Sequence, residues 1–178
     1  KASIYLNLFL CELSEEFSST KNDIAHKIKN IIKLGMNKNI TNREIARELK
    51  IGIRTAEINF KSRFGTTIHR YTIEQKINQA KFFLKYYPDM KIIQIASDLG
   101  FYDEYHFSRL FKKETGITIV TYINAQKIQL ACEKLKFTKS GVEKIAFECG
   151  FHSSMYFCRL FKETFGLTPG EYRKREQL

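Results

Sequence analysis

At 178 residues, with 43% apolar content, two Pro and nine Gly, the chain has room for one ordinary domain or two to three very small ones. It is neither a disordered basic tail nor a collagen-like or low-complexity segment. Thirty Lys plus Arg against 19 Asp plus Glu give a formal charge of +11, which makes a polyanion the first partner to consider and an anionic membrane surface the second.

The chain begins at Lys1 rather than Met and carries no charged n-region with a cleavage site, so it reads as a fragment lacking its N-terminal part. Residues 2–13 (ASIYLNLFLCEL) are apolar nearly all round but fall short of the ~18 residues of a membrane span, and no other run approaches that length. Residues 18–23 (SSTKND) read as a short linker and helix cap. Cys11, Cys132, Cys149 and Cys158 form no CxxC pair and no zinc-finger spacing, and they read as free thiols in a reducing cytoplasm.

From there on the chain repeats. Residues 95–122 (IASDLGFYDEYHFSRLFKKETGITIVTY) align with 145–172 (IAFECGFHSSMYFCRLFKETFGLTPGEY) without a gap at an offset of 50. A weaker copy lies at 45–71, where Ile45 and Ala46 match at offset 50 and Phe60, Lys61, Gly65 and Tyr71 at offset 51, so its turn is one residue shorter. The intervening segments 71–84 and 122–135 also match at offset 51. In each copy a short amphipathic helix (Ile92, Ile95, Ala96, Leu99 in the second) is broken at Gly100-Phe101 or Gly150-Phe151. A second helix follows, with Phe107, Leu110 and Phe111, or Phe157, Leu160 and Phe161, on its inner side. Gly116 and Gly166 suit its C-terminus. Thr41-x-x-Glu44 and Ser140-x-x-Glu143 read as capping boxes, and Thr168-Pro169-x-Glu171 opens a last short helix. Two short helices joined by a tight Gly-containing turn form a helix-turn-helix. The fold class is therefore all-α: three tandem helix-turn-helix subdomains joined by two long connecting helices. The units are expected at 21–69 (divergent), 88–120 and 139–178, with connecting helices at 70–87 and 121–138.

A recognition helix presents side chains of its N-terminal half to base edges in the major groove. With the Phe residues inward, the outward stripe is Glu104, Tyr105, Ser108, Arg109 and Lys112 in the second unit, and Ser154, Met155, Cys158, Arg159 and Lys162 in the third. Arg suits a bidentate contact to guanine and Lys at the far end suits phosphate, while Tyr105 and Met155 suit a thymine methyl. The first unit offers Arg54, Glu57, Ile58 and Lys61, a poorer set. The aromatic positions are core, Cys149 takes the core position of Leu99, and Cys158 takes the outward position of Ser108. His106 and His152 occupy different repeat positions, which argues against a shared catalytic or metal role. No Cys cluster, paired carboxylates or Gly-rich phosphate loop appears, so neither catalytic residues, nor a metal site, nor a cofactor is expected.

The pattern resembles the DNA-binding region of the AraC/XylS family of bacterial transcription regulators over roughly residues 22–175. The resemblance is carried by Ile95-Ala96, Gly100-Phe101, Phe107, Arg109, Phe111-Lys112, Gly116 and Tyr122. It is fuller in Ile145-Ala146, Gly150-Phe151, Tyr156-Phe157, Arg159, Phe161-Lys162, Gly166, Thr168-Pro169 and Tyr172-Arg173. The family usually carries two subdomains and this chain has three. Gly52 stands where the family often has a Ser cap, and Ile58 where the other two units have Arg. The resemblance implies a non-enzymatic, sequence-specific regulator of the bacterial cytoplasm and nucleoid, more often an activator. Its implied partners are double-stranded DNA and RNA polymerase, with no membrane. It also implies that residues 1–20 end an upstream regulatory or dimerisation domain; the apolar segment itself reads either as a helix packed on its own chain or as a dimer contact, a homodimer then forming through residues 2–17 or through the missing N-terminal domain. An alternative is a protein-interaction module in which the first unit contacts a protein. Charge is uneven: residues 21–87 carry 15 basic and 5 acidic side chains, and residues 88–178 carry 14 and 11. The first unit is thus expected to hold phosphates while the other two read bases.

Overall fold

The computed structural model describes residues 23–176, and these residues form ten helices and no strand. In chain order they are α1 (Ile24–Leu34), α2 (Asn42–Glu48), α3 (Ile53–Phe64), α4 (Ile68–Tyr86), α5 (Ile92–Asp98), α6 (Glu104–Thr115), α7 (Ile119–Phe137), α8 (Val142–Glu148), α9 (Ser154–Phe165) and α10 (Pro169–Glu176). The pairs α2–α3, α5–α6 and α8–α9 are three helix-turn-helix repeats, and the 19-residue helices α4 and α7 join them. Segment 2–17, read as a helix packed on its own chain or a dimer contact, and the expected end of an upstream domain at 1–20 lie outside the described residues.

The first helix of every repeat ends in the same way. In a Schellman motif the backbone turns left-handed one residue past the cap and two amides reach back to free carbonyls. Phe101 N donates to Ala96 O and Gly100 N to Ser97 O; Phe151 N donates to Ala146 O and Gly150 N to Phe147 O. In the first repeat Ile51 N donates to Ala46 O and Lys50 N to Arg47 O. The left-handed residue is Gly100 (φ 62°) or Gly150 (φ 79°) in two repeats, but Lys50 (φ 55°) in the first. There a β-carbon meets the following carbonyl, so the first repeat carries strain that the glycines avoid. The first turn is also one residue shorter, as the alignment predicts: α3 starts 51 residues before α6, although α2 starts 50 before α5.

The described chain falls into two compact bodies, one reaching to Phe83 together with Asp89–His106, the other made of Leu84–Pro88 and Phe107 onward. In the first body Ile28 and Ile32 of α1, Ile45 of α2 and Ala56 and Phe60 of α3 close a core with Ile68. Phe60 lies 4.9 Å from Phe64 and 5.4 Å from Tyr71, ring centre to ring centre. The second body repeats this arrangement with Ile128, Ala131 and Leu135 of α7, Ile145, Ala146 and Cys149 of the α8 end, Phe151, and Phe157 and Phe161 of α9. Phe161 lies 4.8 Å from Phe165 and 5.3 Å from Tyr172. Burying one such Phe contributes ~1.5–3 kcal/mol, and edge-to-face pairing adds to it.

The buried stripes extend the repeat to α1. Ala25, Ile28 and Ile32 recur as Ile77, Ala80 and Leu84 in α4 and as Ile128, Ala131 and Leu135 in α7. α1 therefore stands to the first repeat as the connecting helices stand to the others.

One expected cap is absent. Ser140 does not cap α8; Gly141 holds the cap position without a side-chain bond, and the Ser140 carbonyl instead accepts from Arg173 Nη2 at 2.5 Å. Moving the cap one residue on leaves Lys144, not Glu143, three residues past it, so no box closes. The box at Thr41 and Glu44 is formed, with Thr41 N donating to Glu44 Oε2 at 2.7 Å. So is the one at Thr168 and Glu171, where Thr168 N donates at 2.7 Å.

Candidate nucleic-acid interface

In the second and third repeats the second helix starts from a capping side chain. Asp103 Oδ1 accepts from His106 N at 2.6 Å ahead of α6, and Ser153 Oγ accepts from Tyr156 N at 3.3 Å ahead of α9. Gly52 gives α3 no side-chain cap. Each of these helices buries one i, i+4 seam, Phe107 and Phe111, Phe157 and Phe161, or Ala56 and Phe60. Their opposite flank is thereby turned to solvent.

The expected stripe residues take up that flank to different degrees. On α6, Glu104, Tyr105, Arg109 and Lys112 are exposed, Tyr105 at 75%, while Ser108 is half-buried. On α9, Met155, Arg159 and Lys162 are exposed, Met155 at 82%, and Ser154 is half-buried. Cys158 is turned further inward than its outward register suggests: it packs against the core of its repeat, and burial pushes its thiol pKa up. That is the environment of an inert thiol. On α3, Arg54, Glu57, Ile58 and Lys61 are all exposed, Ile58 at 57%. Glu57 Oε1 accepts from Asn42 Nδ2 at 2.8 Å, so part of its acceptor capacity faces the repeat's own first helix.

The two repeat arginines differ in setting. Arg159 Nε lies 3.9 Å from Glu163 Oε1, with both side chains more than 60% exposed, and its guanidinium stands 5.5 Å from the Tyr156 ring centre. An exposed pair of this kind contributes little and is readily exchanged for another anion. Tyr156 is fixed by Asn124 of α7, whose Nδ2 donates to the phenol oxygen at 2.9 Å. Position 163 corresponds to Lys113 in the second repeat.

Sequence reasoning did not single out two lysines. Lys76 of α4 donates to the Gly100 carbonyl at 3.4 Å, and Lys127 of α7 to the Gly150 carbonyl at 2.5 Å. Both are placed at the turn that leads into a second helix. Burial depresses the Lys76 pKa from its ordinary 10.5. The signal was present: the two lysines are 51 residues apart, as the segments around them are. No group of His, Cys, Asp and Glu able to hold a metal occurs among the described residues, and no described helix is long and apolar enough to cross a membrane.

A helix-turn-helix domain model matches residues 45–119 and again 102–175, so the second match reuses the middle repeat. The chain belongs to the AraC/XylS family of helix-turn-helix regulators. Among its relatives, the transcriptional activator RhaS of Mannheimia succiniciproducens is 39% identical over 74 residues, covering 42% of this chain and 27% of that protein. The chain spans 20–36% of the length of the curated relatives it matches. The C-terminal domain of the response regulator YesN from Fusobacterium nucleatum shares 29% identity at a TM-score of 0.52, over 54% of this chain and 93% of that one. The DNA-binding domain of AdpA, solved with a target DNA, shares the AraC-type fold at a TM-score of 0.56 and 18% identity, over 61% of this chain and 96% of that one.

Proposed function

We propose that this AraC-type chain is a sequence-specific duplex-DNA-binding transcription regulator, acting as an activator, that reads major grooves with α6 and α9. The observation that carries the reading is the repeated exposed flank: Arg109 and Arg159 stand 50 residues apart at one position of the repeat, on helices whose opposite side is buried. Arg109 and Arg159 contact guanine, Glu104 accepts from a cytosine amino group, Tyr105 and Met155 meet thymine methyls, and Lys112 and Lys162 lie against phosphates. Ser108, Ser154 and Cys158, being half-buried, shape the contact more than they make it. Arg54, Glu57 and Lys61 of α3 serve backbone contact. A 19-residue connecting helix is ~28 Å long. That approaches the ~34 Å between successive major-groove faces on one side of DNA, so neighbouring repeats suit neighbouring grooves.

The transcriptional activator RhaS among its relatives supports the activator reading, with RNA polymerase as the further partner. Any homodimer forms through segment 2–17 or an upstream domain, and the working location is the cytoplasm at the nucleoid. A second reading is favoured by Ile58: an exposed aliphatic side chain in the place of the repeat arginine suits a protein surface better than a base edge. On that reading the first repeat holds a protein partner. Selection from a random duplex pool followed by footprinting tests both. Two protected adjacent grooves, lost in Arg109→Ala with Arg159→Ala, support the DNA reading by the second and third repeats. Three protected grooves add the first repeat as a reader, and weak binding that ignores those substitutions refutes the proposal.

A further inference from the structure

The lysines of the connecting helices lie at the two turns rather than on the outward stripes. Lys76 is 5% exposed as a residue, and its ammonium donates to Asn39 Oδ1 at 3.0 Å as well as to the Gly100 carbonyl, 5.3 Å from the Phe101 ring centre. The Lys127 ammonium stands 5.5 Å from the Phe151 ring centre while donating to the Gly150 carbonyl. A β-carbon on Gly150 would lie 3.4 Å from Lys127 Cε and Nζ, so the side chain rests directly on the turn. One cation thus engages both the carbonyl of the left-handed residue and the face of the aromatic that follows it. Only two residues separate that aromatic from the second helix, which starts at Glu104 or Ser154. The first repeat lacks every part of this: by the register of the buried stripes Ile24 stands in the lysine position, Lys50 in that of the glycine and Ile51 in that of the aromatic.

We propose that Lys127, and Lys76 in the repeat before it, are positioning residues that clamp the helix-turn-helix turn and so aim the DNA-reading helix that follows, a device confined to the two repeats with the arginine. The proposal rests on the DNA reading above. The clamp acts through the backbone, so it sets discrimination between duplexes rather than general attraction to phosphate.

The test uses the full chain with Lys127→Met and Lys127→Arg, a duplex selected by the wild type, and a scrambled duplex of equal length. Losing the clamp is expected to speed amide exchange across residues 150–154 about tenfold, to lower selected-over-scrambled discrimination about tenfold, and to leave the salt dependence unchanged, with Arg restoring the first two. Circular dichroism checks folding. Where the Met variant does not fold, Lys127→Gln, which keeps an N–H donor without the charge, is measured instead. Unchanged exchange overturns the clamp. So does a salt slope shallower by ~0.9 with discrimination intact, because that marks a direct phosphate contact. If the wild type itself prefers no duplex, the DNA reading falls, and exchange alone still decides whether the clamp exists.

Discussion

Arg109 and Arg159 owe their exposure to their neighbours. Phe107 and Phe111, or Phe157 and Phe161, are fully buried, and an α-helix that buries an i, i+4 seam turns the residue midway between them, Arg109 or Arg159, outward. Replacing either arginine by Ala is therefore expected to leave the melting temperature nearly unchanged and to weaken binding to a selected duplex by ~1–3 kcal/mol, with relaxed preference at one base position. Fluorescence anisotropy on single-base variants of the duplex measures both; equal losses on every duplex would reduce the arginine to a phosphate contact. Phe157→Ala is expected to act the other way, costing ~3–5 kcal/mol of stability in chemical denaturation. These assignments were legible because a repeat states each position twice. Cys158 was read less well: register put it on the outward stripe, but a small side chain beside the seam sinks against the core, which spacing alone does not reveal. The lysine clamps were missed because Lys on an amphipathic helix reads as solvated surface.

At the scale of the element, turns and caps separate the first repeat from the others. Its left-handed turn residue is Lys50, where the equivalents are Gly100 and Gly150. Lys50→Gly is expected to stabilise the chain by ~0.5–1 kcal/mol and Gly150→Ala to destabilise it by ~1 kcal/mol or more, both read from denaturant midpoints. A loss of stability in Lys50→Gly would mean that the Lys50 side chain holds the turn by contacts of its own. The capping boxes add an acid-side dependence. Glu44, held by the backbone amide and then the hydroxyl of Thr41, and Glu171, held by the hydroxyl and then the amide of Thr168, both have pKa values below the ordinary 4.5. A carboxylate depressed by folding stabilises the fold above its unfolded pKa and loses that contribution as pH falls through its folded value. The melting temperature is thus expected to drop on acidification below 4.5, and Glu44→Gln with Glu171→Gln to make that drop shallower. The start and type of these helices were legible from Thr-x-x-Glu. The box at Ser140 was not: Ser140-Gly141 offers two adjacent cap residues, and the choice between them is made by Arg173, 33 residues away, which takes the Ser140 carbonyl.

At the scale of the whole chain, the stripe arginines proposed to read bases and the positive charge are unevenly shared. The arginines of the stripe and the lysine clamps belong to the second and third repeats. The excess of cations belongs to residues 21–87, where 15 basic side chains face 5 acidic ones. Lys27, Lys33 and Lys38 are exposed there, and Lys29 lies with its ammonium 5.7 Å from the Phe64 ring centre. A strong positive field without a base-reading stripe suits attraction to backbone rather than to sequence. Replacing Lys27, Lys29, Lys33 and Lys38 together by Gln is then expected to lower affinity for selected and scrambled duplexes by the same factor. Each phosphate contact removed flattens the plot of log affinity against log salt by ~0.9, so the four together would flatten it by at most ~3.6. Lys29, half-covered against Phe64, is the one expected to contribute least. Titrations at several salt concentrations decide the matter. An unchanged slope would show that the first repeat stands off the DNA, and the exposed Ile58 surface would then favour a protein partner there. A loss confined to the selected duplex would instead make the first repeat a reader of sequence, against the poverty of its stripe.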